Sequence, residues 1–324
     1  MARVAIVIVT YNSAEEIGVC LDSLSGLKDT EIVVVDNASS DATTAEVSRR
    51  DVRLIANPTN AGFAGGVNIG VRATTAPYVL LLNPDASLRT GLDALVAAFD
   101  DPKTGAAGGM LTGPDGKPQV GFMARNLPTP AVLIFEVLGI NRLWPGNPVN
   151  WHYRCLGEDA RVPKLVGQPA GAFLLFSRRA WETVGGFDER YWPVWFEDVD
   201  FCTQLERAGY HVWYVPDAVA QHTGGHSVGT LPVESRQLYW YGSLLEYGSK
   251  YYSPVNYRMV CFAVCAGAVV RALFASLGAV SPGEGGGRGG FKSILKVFAV
   301  YGAVARLAAG RLVRPRTRAG FTAV

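Results

Sequence analysis

The sequence predicts an α/β fold built on a doubly wound, mostly parallel sheet, with a helical, basic region at the C-terminal end. Three short runs rich in β-branched residues are predicted strands: Val4–Val9, Ile32–Val35 and Val52–Ala56. The segments between them, residues 13–26 and 40–50, have helical patterns. Such alternation is typical of βαβ units around a buried parallel sheet. A fourth apolar strand, Tyr78–Leu82, ends at Asn83-Pro84-Asp85, and the carboxyl ends of parallel strands form the ligand-binding edge of a sheet.

The composition is that of a globular chain. The 324 residues are 49% hydrophobic and 18% charged, and at about 150 residues per domain they suffice for two domains, or for one large α/β unit with an appendage. The 37 glycines and 18 prolines are dispersed rather than periodic. These values exclude a disordered chain, collagen and a long coiled coil.

Charge is unevenly distributed along the chain. The 30 basic and 28 acidic residues give a net charge of +2, which argues against a dedicated nucleic-acid-binding protein. Residues 1–284 carry −6 and the rest of the chain carries +8. The basic residues of this tail are Arg288, Lys292, Lys296, Arg306, Arg311, Arg314, Arg316 and Arg318. An acidic body therefore bears a basic tail.

The cysteines and the N-terminal segment indicate a cytoplasmic protein. The five cysteines are odd in number and form no C-x-x-C pair, which argues against a disulfide framework and a zinc site. Free cysteines fit the reducing cytosol. The apolar run Val4–Val9 is shorter than the roughly 7–15 residues of a signal-peptide core, so we interpret it as a strand.

The later part of the chain is less regular. Residues 105–150 contain six prolines and are predicted to be mostly loops, with a short apolar stretch at 131–140. Regular structure resumes with a strand at Ala170–Phe176, a helical turn at 178–184, a helix at 197–208 and strands at 211–214 and 218–221. Residues 233–250 and 291–313 are predicted helices. The apolar run Met259–Val270 has 12 residues, fewer than the roughly 18 needed to span a bilayer.

Two common nucleotide-binding motifs are missing from the first strand. A dinucleotide site would place G-x-G-x-x-G there, and a P-loop would place G-x-x-x-x-G-K-[ST] there. This chain has Thr10-Tyr11-Asn12-Ser13 instead. Its glycine-rich segment, Asn60–Gly70, comes later, at the entry to a helix. It serves either for loop and helix packing or for a close approach of the backbone to a ligand.

Two aspartates follow predicted strands. Asp36 either forms an Asx turn and helix cap, or accepts a hydrogen bond from a pyrimidine base. Asn83-Pro84-Asp85 is either a turn or a site where a carboxylate holds Mg²⁺ or Mn²⁺, with diphosphate oxygens and water as the remaining ligands. Their positions at the ligand edge favour the second interpretation of each.

A third acidic motif, Glu197-Asp198-Val199-Asp200, begins a predicted helix. Acids at this position stabilise a helix by about 0.3–1 kcal/mol each through its dipole, which is the simpler explanation. The preceding segment includes Trp192 and Trp195, and such aromatic rings either stack on sugar faces or belong to the core. Together they predict a carbohydrate site with a general base. His222 and His226, which follow a strand, are either structural or complete a metal shell.

In their order along the chain, these motifs resemble inverting glycosyltransferases of family 2, with the GT-A fold, and among them the bacterial rhamnosyltransferases. The resemblance covers about residues 3–230. The motifs that carry it are Val7–Asn12, Val33–Asn37, Asn60–Gly66, Leu81–Asp85, Gly185–Asp188, Phe196–Asp200, and His222 with Gly225 and Ser227.

The resemblance implies a role for each matching residue. Asp198 would be the catalytic base, Asp85 would ligate the metal, and His222 would contact the metal or the diphosphate. The donor-binding residues would be Thr10, Tyr11, Asn12, Asp36, Asn60, Gly62, Gly65 and Asn83. The acceptor-binding residues would be Trp192, Trp195 and Glu197. The chain departs from the family at Asn83, where the wider family has Asp, and this leaves Asp85 as the main carboxylate.

The resemblance also implies the cofactor and the partners. The cofactor would be Mg²⁺ or Mn²⁺, and the donor would be a nucleoside diphosphate sugar, best taken as dTDP-rhamnose. The acceptor would be a glycan or a polyprenyl-linked sugar. We expect a GT-A domain over residues 1–230, with a donor nucleotide half at 1–115 and an acceptor half at 116–230, and a helical basic region over 231–324.

The sequence also argues against three functions other than single sugar transfer. A processive synthase should carry Q-x-x-R-W, but Gln204-Leu205-Glu206-Arg207 is followed by Ala208. A nucleotidyltransferase should have a glycine-rich, basic segment after its first strand, and none is present. A catalytically idle sugar-nucleotide-binding or scaffold protein would have no need of Asp36, Asp85 and Asp198 together.

The tail predicts contact with a membrane surface. Residues 247–324 hold 11 basic residues and one acid, with apolar stretches at 259–270 and 293–305. They either form a helical appendage on the catalytic domain or lie at the headgroup boundary of an anionic leaflet. We expect a peripheral protein on the inner face of the plasma membrane.

Overall fold

A computed structural model of the protein describes residues 2–224, 232–276 and 291–313. Several residues named above lie outside them: Gly225, His226, Ser227, Arg288, Arg314, Arg316 and Arg318. The chain divides into two compact units. The first consists of Met1–Leu127 and His152–Thr230, and the second of Pro128–Trp151 and Leu231–Val324. Residues 128–151, expected in the acceptor half of the GT-A domain, thus group with the C-terminal helices.

Nine strands of the first unit form one sheet. They are β1 (Val4–Thr10), β2 (Thr30–Asp36), β3 (Arg53–Ala56), β4 (Tyr78–Leu82), β5 (Ala86–Leu88), β6 (Thr104–Thr112), β8 (Lys164–Leu165), β10 (Phe173–Ser177) and β11 (His211–His222). Two further short strands, β7 (Ala124–Arg125) and β9 (Gln168–Pro169), pair with each other as a separate ribbon.

The sheet has the order β3-β2-β1-β4-β10-β6-β11-β5, and β8 pairs with β11. The pairings make β1, β2, β3, β4, β6 and β11 run in one direction and β5, β8 and β10 in the other. The predicted α/β fold with a mostly parallel sheet is therefore confirmed. The side chains of β1 are buried along its whole length, as expected for a strand covered on both faces.

Short helices flank this sheet. In the first unit they are α1 (Ile17–Asp22), α2 (Thr43–Ser48), α3 (Gly62–Arg72), α4 (Asp93–Ala97), α8 (Arg178–Val184) and α9 (Glu197–Arg207). The second unit contains α5 (Pro130–Val137), α6 (Ile140–Leu143), α10 (Val233–Tyr251), α11 (Pro254–Ser276) and α12 (Phe291–Val313). The helix α7 (Pro148–Tyr153) lies at the chain boundary between the units.

The prediction of loops from residue 105 onward is wrong for strand β6, which is central in the sheet. Its sequence, TGAAGGMLT, has few of the β-branched residues that signal a strand. The small residues are needed because neighbouring groups approach closely: a Cβ on Gly109 would overlap the Phe173 ring and lie 2.5 Å from the carbonyl oxygen of Ala218. The two strands predicted at 211–214 and 218–221 are one strand, β11, with a register irregularity between Val215 and Val219.

This close approach predicts that Gly109→Ala destabilises the first unit. Overpacking a filled core typically costs about 1–3 kcal/mol, so the thermal midpoint of unfolding should fall by several degrees. Gly91→Ala is the matched control, because the nearest atom to its added Cβ, Asp93 Oδ2, is 3.7 Å away. Equal midpoints for the two variants would contradict the proposed packing around β6.

The helix α11 is longer than the apolar run seen in the sequence. Pro254–Phe274 has a mean hydropathy of 1.6 and is long and apolar enough to cross a membrane. Of its most apolar stretch, 44% is buried inside the protein. The prediction that this region is too short to span is therefore wrong in its length, because the helix continues beyond Arg258 and Arg271. One such helix is weak evidence for a span, since a buried core helix has the same composition.

Candidate active site

The first part of the candidate site joins the carboxyl ends of β1 and β2. Thr10 lies opposite Asp36 in the sheet, and its hydroxyl donates to Asp36 Oδ1 at 2.8 Å. The Ser39 hydroxyl donates to the same oxygen at 2.5 Å, and the Ser39 N–H donates to Asp36 Oδ2 at 2.9 Å. Asp36 is 1% exposed, so the carboxylate first of all ties two strand ends together. A carboxylate oxygen accepts two hydrogen bonds, and Oδ2 can therefore take a further donor.

The loops after these strands are also tied to each other. The Asn12 N–H donates to Ser39 Oγ at 2.8 Å, and the Ser40 N–H donates to Asn12 Oδ1 at 2.8 Å. Asn12 and Ala38 have φ values of 51° and 61°, a left-handed conformation that asparagine tolerates but alanine rarely adopts. Tyr11 lies between Thr10 and Asn12 and is partly exposed. The polar loops after β1 and β2 are thus hydrogen-bonded to each other at this edge of the sheet.

The glycine-rich segment Asn60–Gly70 includes the start of α3, next to the loop that contains Trp192. The Gly62 N–H donates to Asn60 Oδ1 at 2.8 Å, as in an Asx turn, and Gly62 has a φ of +76°. A Cβ on Gly62 would lie 2.8 Å from Trp192 Cδ1. The Trp192 indole N–H donates to the Asn60 carbonyl at 3.3 Å. Gly65 lies in the first turn of α3, where the Glu189 carboxyl carbon is 3.8 Å from the position of an added Cβ.

The second part of the site is a buried pair, Asp85 and His222. Asp85 directly precedes β5, and His222 lies opposite Ala86 in the β5–β11 pairing. His222 Nε2 is 3.4 Å from Asp85 Oδ1. The imidazole is oriented by Gln119, whose Oε1 is 3.2 Å from His222 Nδ1, and it stacks on Phe122 with ring centroids 5.3 Å apart.

The charge state of Asp85 follows from these contacts. Burial alone would raise the pKa of its carboxyl group, but the hydrogen bond and charge of His222, with the backbone N–H groups of Asp85 and Gly224, outweigh burial. The pKa of Asp85 is therefore below its ordinary value. An ionised carboxylate beside an imidazole is a donor set that suits Mg²⁺ and Mn²⁺.

The pair fits a divalent cation in its geometry. Among the described residues, the buried Asn83 Oδ1 has no hydrogen-bond partner, and His222 Nε2 faces the Asp85 carboxylate. Adjacent ligands of an octahedral ion bound at about 2.1 Å are about 3 Å apart, close to the 3.4 Å between His222 Nε2 and Asp85 Oδ1. No group of three or more His, Cys, Asp or Glu residues that could hold a metal occurs within the described ranges. An ion here would take its remaining ligands from substrate and water.

The third part of the site is the half-buried carboxylate of Asp198, in the first turn of α9. Its Oδ2 accepts hydrogen bonds from the Gln168 amide at 2.8 Å and the Gly171 N–H at 3.0 Å, and its Oδ1 accepts one from the Val199 N–H at 2.8 Å. Burial raises the pKa of Asp198, although the backbone N–H groups and the charge of Arg125 act in the opposite direction.

The other two acids of this motif have different environments. Asp200 is fully buried and accepts hydrogen bonds from the Tyr191 hydroxyl at 2.9 Å and the Gln204 amide at 2.8 Å. Glu197 is 5% exposed, and its buried Oε2 has no hydrogen-bond partner among the described residues. Burial, and secondly the Asp198 charge, raise the pKa of Glu197 well above its ordinary value.

The backbone before this motif is strained. Trp195 and Phe196 have φ values of 80° and 69°, and such a conformation costs bulky residues about 1–3 kcal/mol each. These two residues lead directly into Glu197 and Asp198. Strained backbone is concentrated at functional sites, and its position here agrees with a site at the start of α9.

The predicted residues are linked through the strand ends. The Asn83 N–H donates to the Ala172 carbonyl at 3.0 Å, next to the Gly171 N–H that holds Asp198. Five residues that contact the predicted ones or act on them through charge were missed by sequence reasoning: Gln119, Phe122, Arg125, Gln168 and Gly171. They lie in short or irregular segments without periodicity. Glycine at 171 was the single available signal, because a Cβ there would lie 3.0 Å from the Asp198 Cβ.

Comparisons with known proteins agree with this fold and identify its family. The family model described as glycosyl transferase family 2 matches residues 5–181. An N-acetylglucosaminyl-diphospho-decaprenol L-rhamnosyltransferase of Mycobacterium tuberculosis is 35% identical over 250 residues, which cover 70% of this chain and 78% of that protein. A low-salt glycan biosynthesis hexosyltransferase of Haloferax volcanii is 26% identical over 64% of this chain and 63% of its own length.

A solved structure supports the same fold. It is the mannosyltransferase of Pyrobaculum calidifontis in complex with GDP-mannose and Mn²⁺, with a TM-score of 0.51, 19% identity, and coverage of 97% of this chain and 88% of that one. The fold is thus that of a GT-A glycosyltransferase. The chain belongs to glycosyl transferase family 2, as its motifs predict, and it is an enzyme of this class.

Proposed function

We propose that this glycosyltransferase transfers L-rhamnose from dTDP-rhamnose to a glycan or polyprenyl-diphosphate-linked acceptor, one sugar at a time and with inversion, in cell-envelope polysaccharide synthesis. The similarity to an L-rhamnosyltransferase that is named for a decaprenol-linked acceptor supports the donor and the acceptor class. The observation that carries the proposal is the carboxylate of Asp198, half-buried and oriented by three hydrogen bonds.

Asp198 is the proposed base because its neighbours are less suitable. Asp200 is fully buried and already bonded to Tyr191 and Gln204, and Glu197 is buried. Asp198 takes the proton of the acceptor hydroxyl as that oxygen attacks the anomeric carbon. Its raised pKa makes the carboxylate a better proton acceptor, and general-base catalysis typically contributes 10²–10⁴-fold, as an order of magnitude. A single displacement inverts the anomeric carbon and needs no covalent intermediate.

Asp85 and His222 are the proposed ligands for Mg²⁺ or Mn²⁺. The mannosyltransferase structure with the same fold contains Mn²⁺, which supports this proposal. Bound there, the ion would offset the charge that develops on the departing nucleoside diphosphate. Asn83 stands where the wider family has a carboxylate, so Asp85 supplies the negative charge of the pair. Its lowered pKa keeps this charge present well below neutral pH.

The remaining contacts are assigned by position. The proposed donor-binding residues are Thr10, Tyr11, Asn12, Asp36, Asn60, Gly62, Gly65 and Asn83. Asp36 Oδ2 would accept the N–H of the base, with Thr10 and Ser39 holding the carboxylate in place. Trp192, which is 51% exposed, and Trp195 would stack on the acceptor sugar. Glu197 is proposed as a further acceptor contact because it directly precedes Asp198 in the motif.

A panel of nucleoside diphosphate sugars tests the proposed donor. Each sugar is incubated with the full-length protein and a polyprenyl-diphosphate-sugar acceptor, and release of nucleoside diphosphate is measured. We expect dTDP-rhamnose to give the highest kcat/KM and a product whose anomeric configuration is opposite to that of the donor. A higher kcat/KM with another nucleotide sugar would replace rhamnose as the donor, and retained configuration would exclude the single displacement.

We also propose that the second unit contacts a membrane surface through α11. One face of this helix is buried within its unit, including Val260, Val264 and Ala268, while Met259, Phe262 and Phe274 are at least half exposed. An exposed apolar helix face with nearby basic residues is typical of interfacial binding. One basic residue of the tail is already paired, because the Arg311 guanidinium is 3.1 Å from Glu246 Oε2.

Replacing Phe262 and Phe274, the exposed phenylalanines of α11, should release the protein from membranes. The double variant Phe262→Glu/Phe274→Glu is expected to sediment at least about tenfold less with anionic vesicles, because two apolar side chains lose their burial. Val19→Glu, at a position 62% exposed in the first unit, is the matched control. Unchanged sedimentation of the double variant would contradict interfacial binding, and resistance of the unaltered protein to both high salt and alkaline extraction would indicate a membrane-spanning α11 instead.

A further inference from the structure

The hydrogen bonds at Asp198 distinguish its two oxygens. Oδ2 accepts two hydrogen bonds, from the Gln168 amide and the Gly171 N–H. Oδ1 accepts one, from the Val199 N–H. Since a carboxylate oxygen accepts two hydrogen bonds, Oδ2 is filled and Oδ1 has room for an acceptor hydroxyl. The side chain of Gln168 is therefore one of the groups that decide which oxygen can act.

The orientation of the Gln168 amide follows from its partner. An ionised carboxylate only accepts hydrogen bonds, so the NH₂ group of Gln168 must face Asp198 at 2.8 Å. Gln168 is 3% exposed, and its other polar atom, Oε1, is buried without a hydrogen-bond partner among the described residues. A buried oxygen without a partner lowers the stability of the folded state. Stability alone therefore does not explain a glutamine here.

We propose that Gln168 is a positioning residue for the general base: its amide holds Asp198 Oδ2 and leaves Oδ1 directed to the acceptor hydroxyl. This inference rests on the proposed role of Asp198. Gln168 belongs to the ribbon of β7 and β9, where it lies opposite Arg125. The ribbon thus brings a neutral donor and a positive charge to the same carboxylate.

The proposal has a consequence for the pH dependence of transfer. Among the described residues, the charged or titratable groups that interact with Asp198 are Arg125 from the ribbon and Glu197 and Cys202 from α9. The reactive form of Asp198 is the carboxylate, so activity is lost as the pH falls through its pKa. Removing the Gln168 donor disfavours the ionised form and raises this pKa. The acidic limb of the rate profile should then move to higher pH.

The test compares two glutamines that each donate to an aspartate at 2.8 Å: Gln168 to Asp198 and Gln204 to Asp200. For Gln168→Leu we expect kcat to fall about tenfold, KM for the donor to stay unchanged, and the acidic limb to move up by about one pH unit. For Gln168→Glu we expect the acidic limb to change shape and show two steps, because two adjacent carboxyl groups titrate as a coupled pair. For the control Gln204→Leu we expect a lower thermal midpoint and an unmoved acidic limb.

The outcomes separate this proposal from the assignment of the base. Unchanged kcat and acidic limb in both Gln168 variants, with transfer abolished in Asp198→Asn, would overturn the positioning role and leave Asp198 as the base. A limb that moves in Gln204→Leu but not in the Gln168 variants would instead assign the base to Asp200 and overturn both proposals. Should Gln168→Leu fail to fold, Gln168→Met, which keeps the length of the side chain but has no hydrogen-bond donor, provides the same comparison.

Discussion

Asp198→Asn should abolish sugar transfer while the affinity for the nucleotide sugar stays near that of the unaltered enzyme. The amide keeps the shape of the side chain but cannot accept a proton, so transfer should slow by about 10²-fold or more. Transfer is measured by single-turnover kinetics and donor affinity by calorimetry. The thermal midpoint of unfolding shows whether the substitution, which alters the hydrogen bonds from Gln168 and Gly171, has destabilised the fold.

Asp217→Asn serves as the control for this variant. Asp217 is an exposed acid on β11, so its replacement should leave both transfer and affinity unchanged. If Asp198→Asn keeps more than a tenth of the turnover, the base is another acid of the motif. Glu197 and Asp200 are then the next candidates, and the Gln204 variant described above distinguishes Asp200.

Asp85→Ala should weaken the metal-dependent binding of the nucleoside diphosphate far more than Asn83→Ala. The carboxylate supplies the negative charge for the ion, whereas the amide of Asn83 is neutral. Residues that only orient a metal ligand typically contribute about 10–100-fold to metal affinity, so loss of a ligand should have at least this effect. Calorimetric titration of the nucleoside diphosphate, with and without Mn²⁺, measures the difference.

Asn83 is the matched partner in this comparison because it lies two residues away at the same strand end. Its buried Oδ1 has no hydrogen-bond partner among the described residues, so Asn83→Ala removes a polar atom without removing a charge. Equal losses in the two variants would refute the assignment of Asp85 as the main ligand. Full activity in excess chelator would refute metal dependence altogether.

The position of the site was predictable because strand ends are local features. Thr10, Asp36 and Asp85 each follow a run of buried apolar residues, and such runs predict strands without knowledge of their neighbours. Parallel strands with crossover helices place their carboxyl ends on one edge. The α9 motif was likewise visible as acids at a helix start. These predictions depend only on residues close together in the chain.

The contacts that orient the site were not predictable in this way. Gln168 and Arg125 belong to two-residue strands, which are too short to show any periodicity. His222 is placed beside Asp85 by the pairing of β11 with β5, a contact between residues far apart in the chain. The choice of Asp198 over Asp200 depends on Tyr191 and Gln204, whose hydrogen bonds occupy Asp200.

The sequence by itself determined the α/β class, the order of the motifs and the identity of the carboxylates at the strand ends, because apolar periodicity and turn residues act locally. Tertiary structure alone decided that residues 104–112 form the interior strand β6, since the close approach of Phe173, Ala218, Pro169 and Tyr210 requires glycines there. It also decided that Asp200 is fully buried with both oxygens bonded, whereas Asp198 is only partly buried. Burial and hydrogen bonding depend on residues distant in the chain, and no local pattern encodes them.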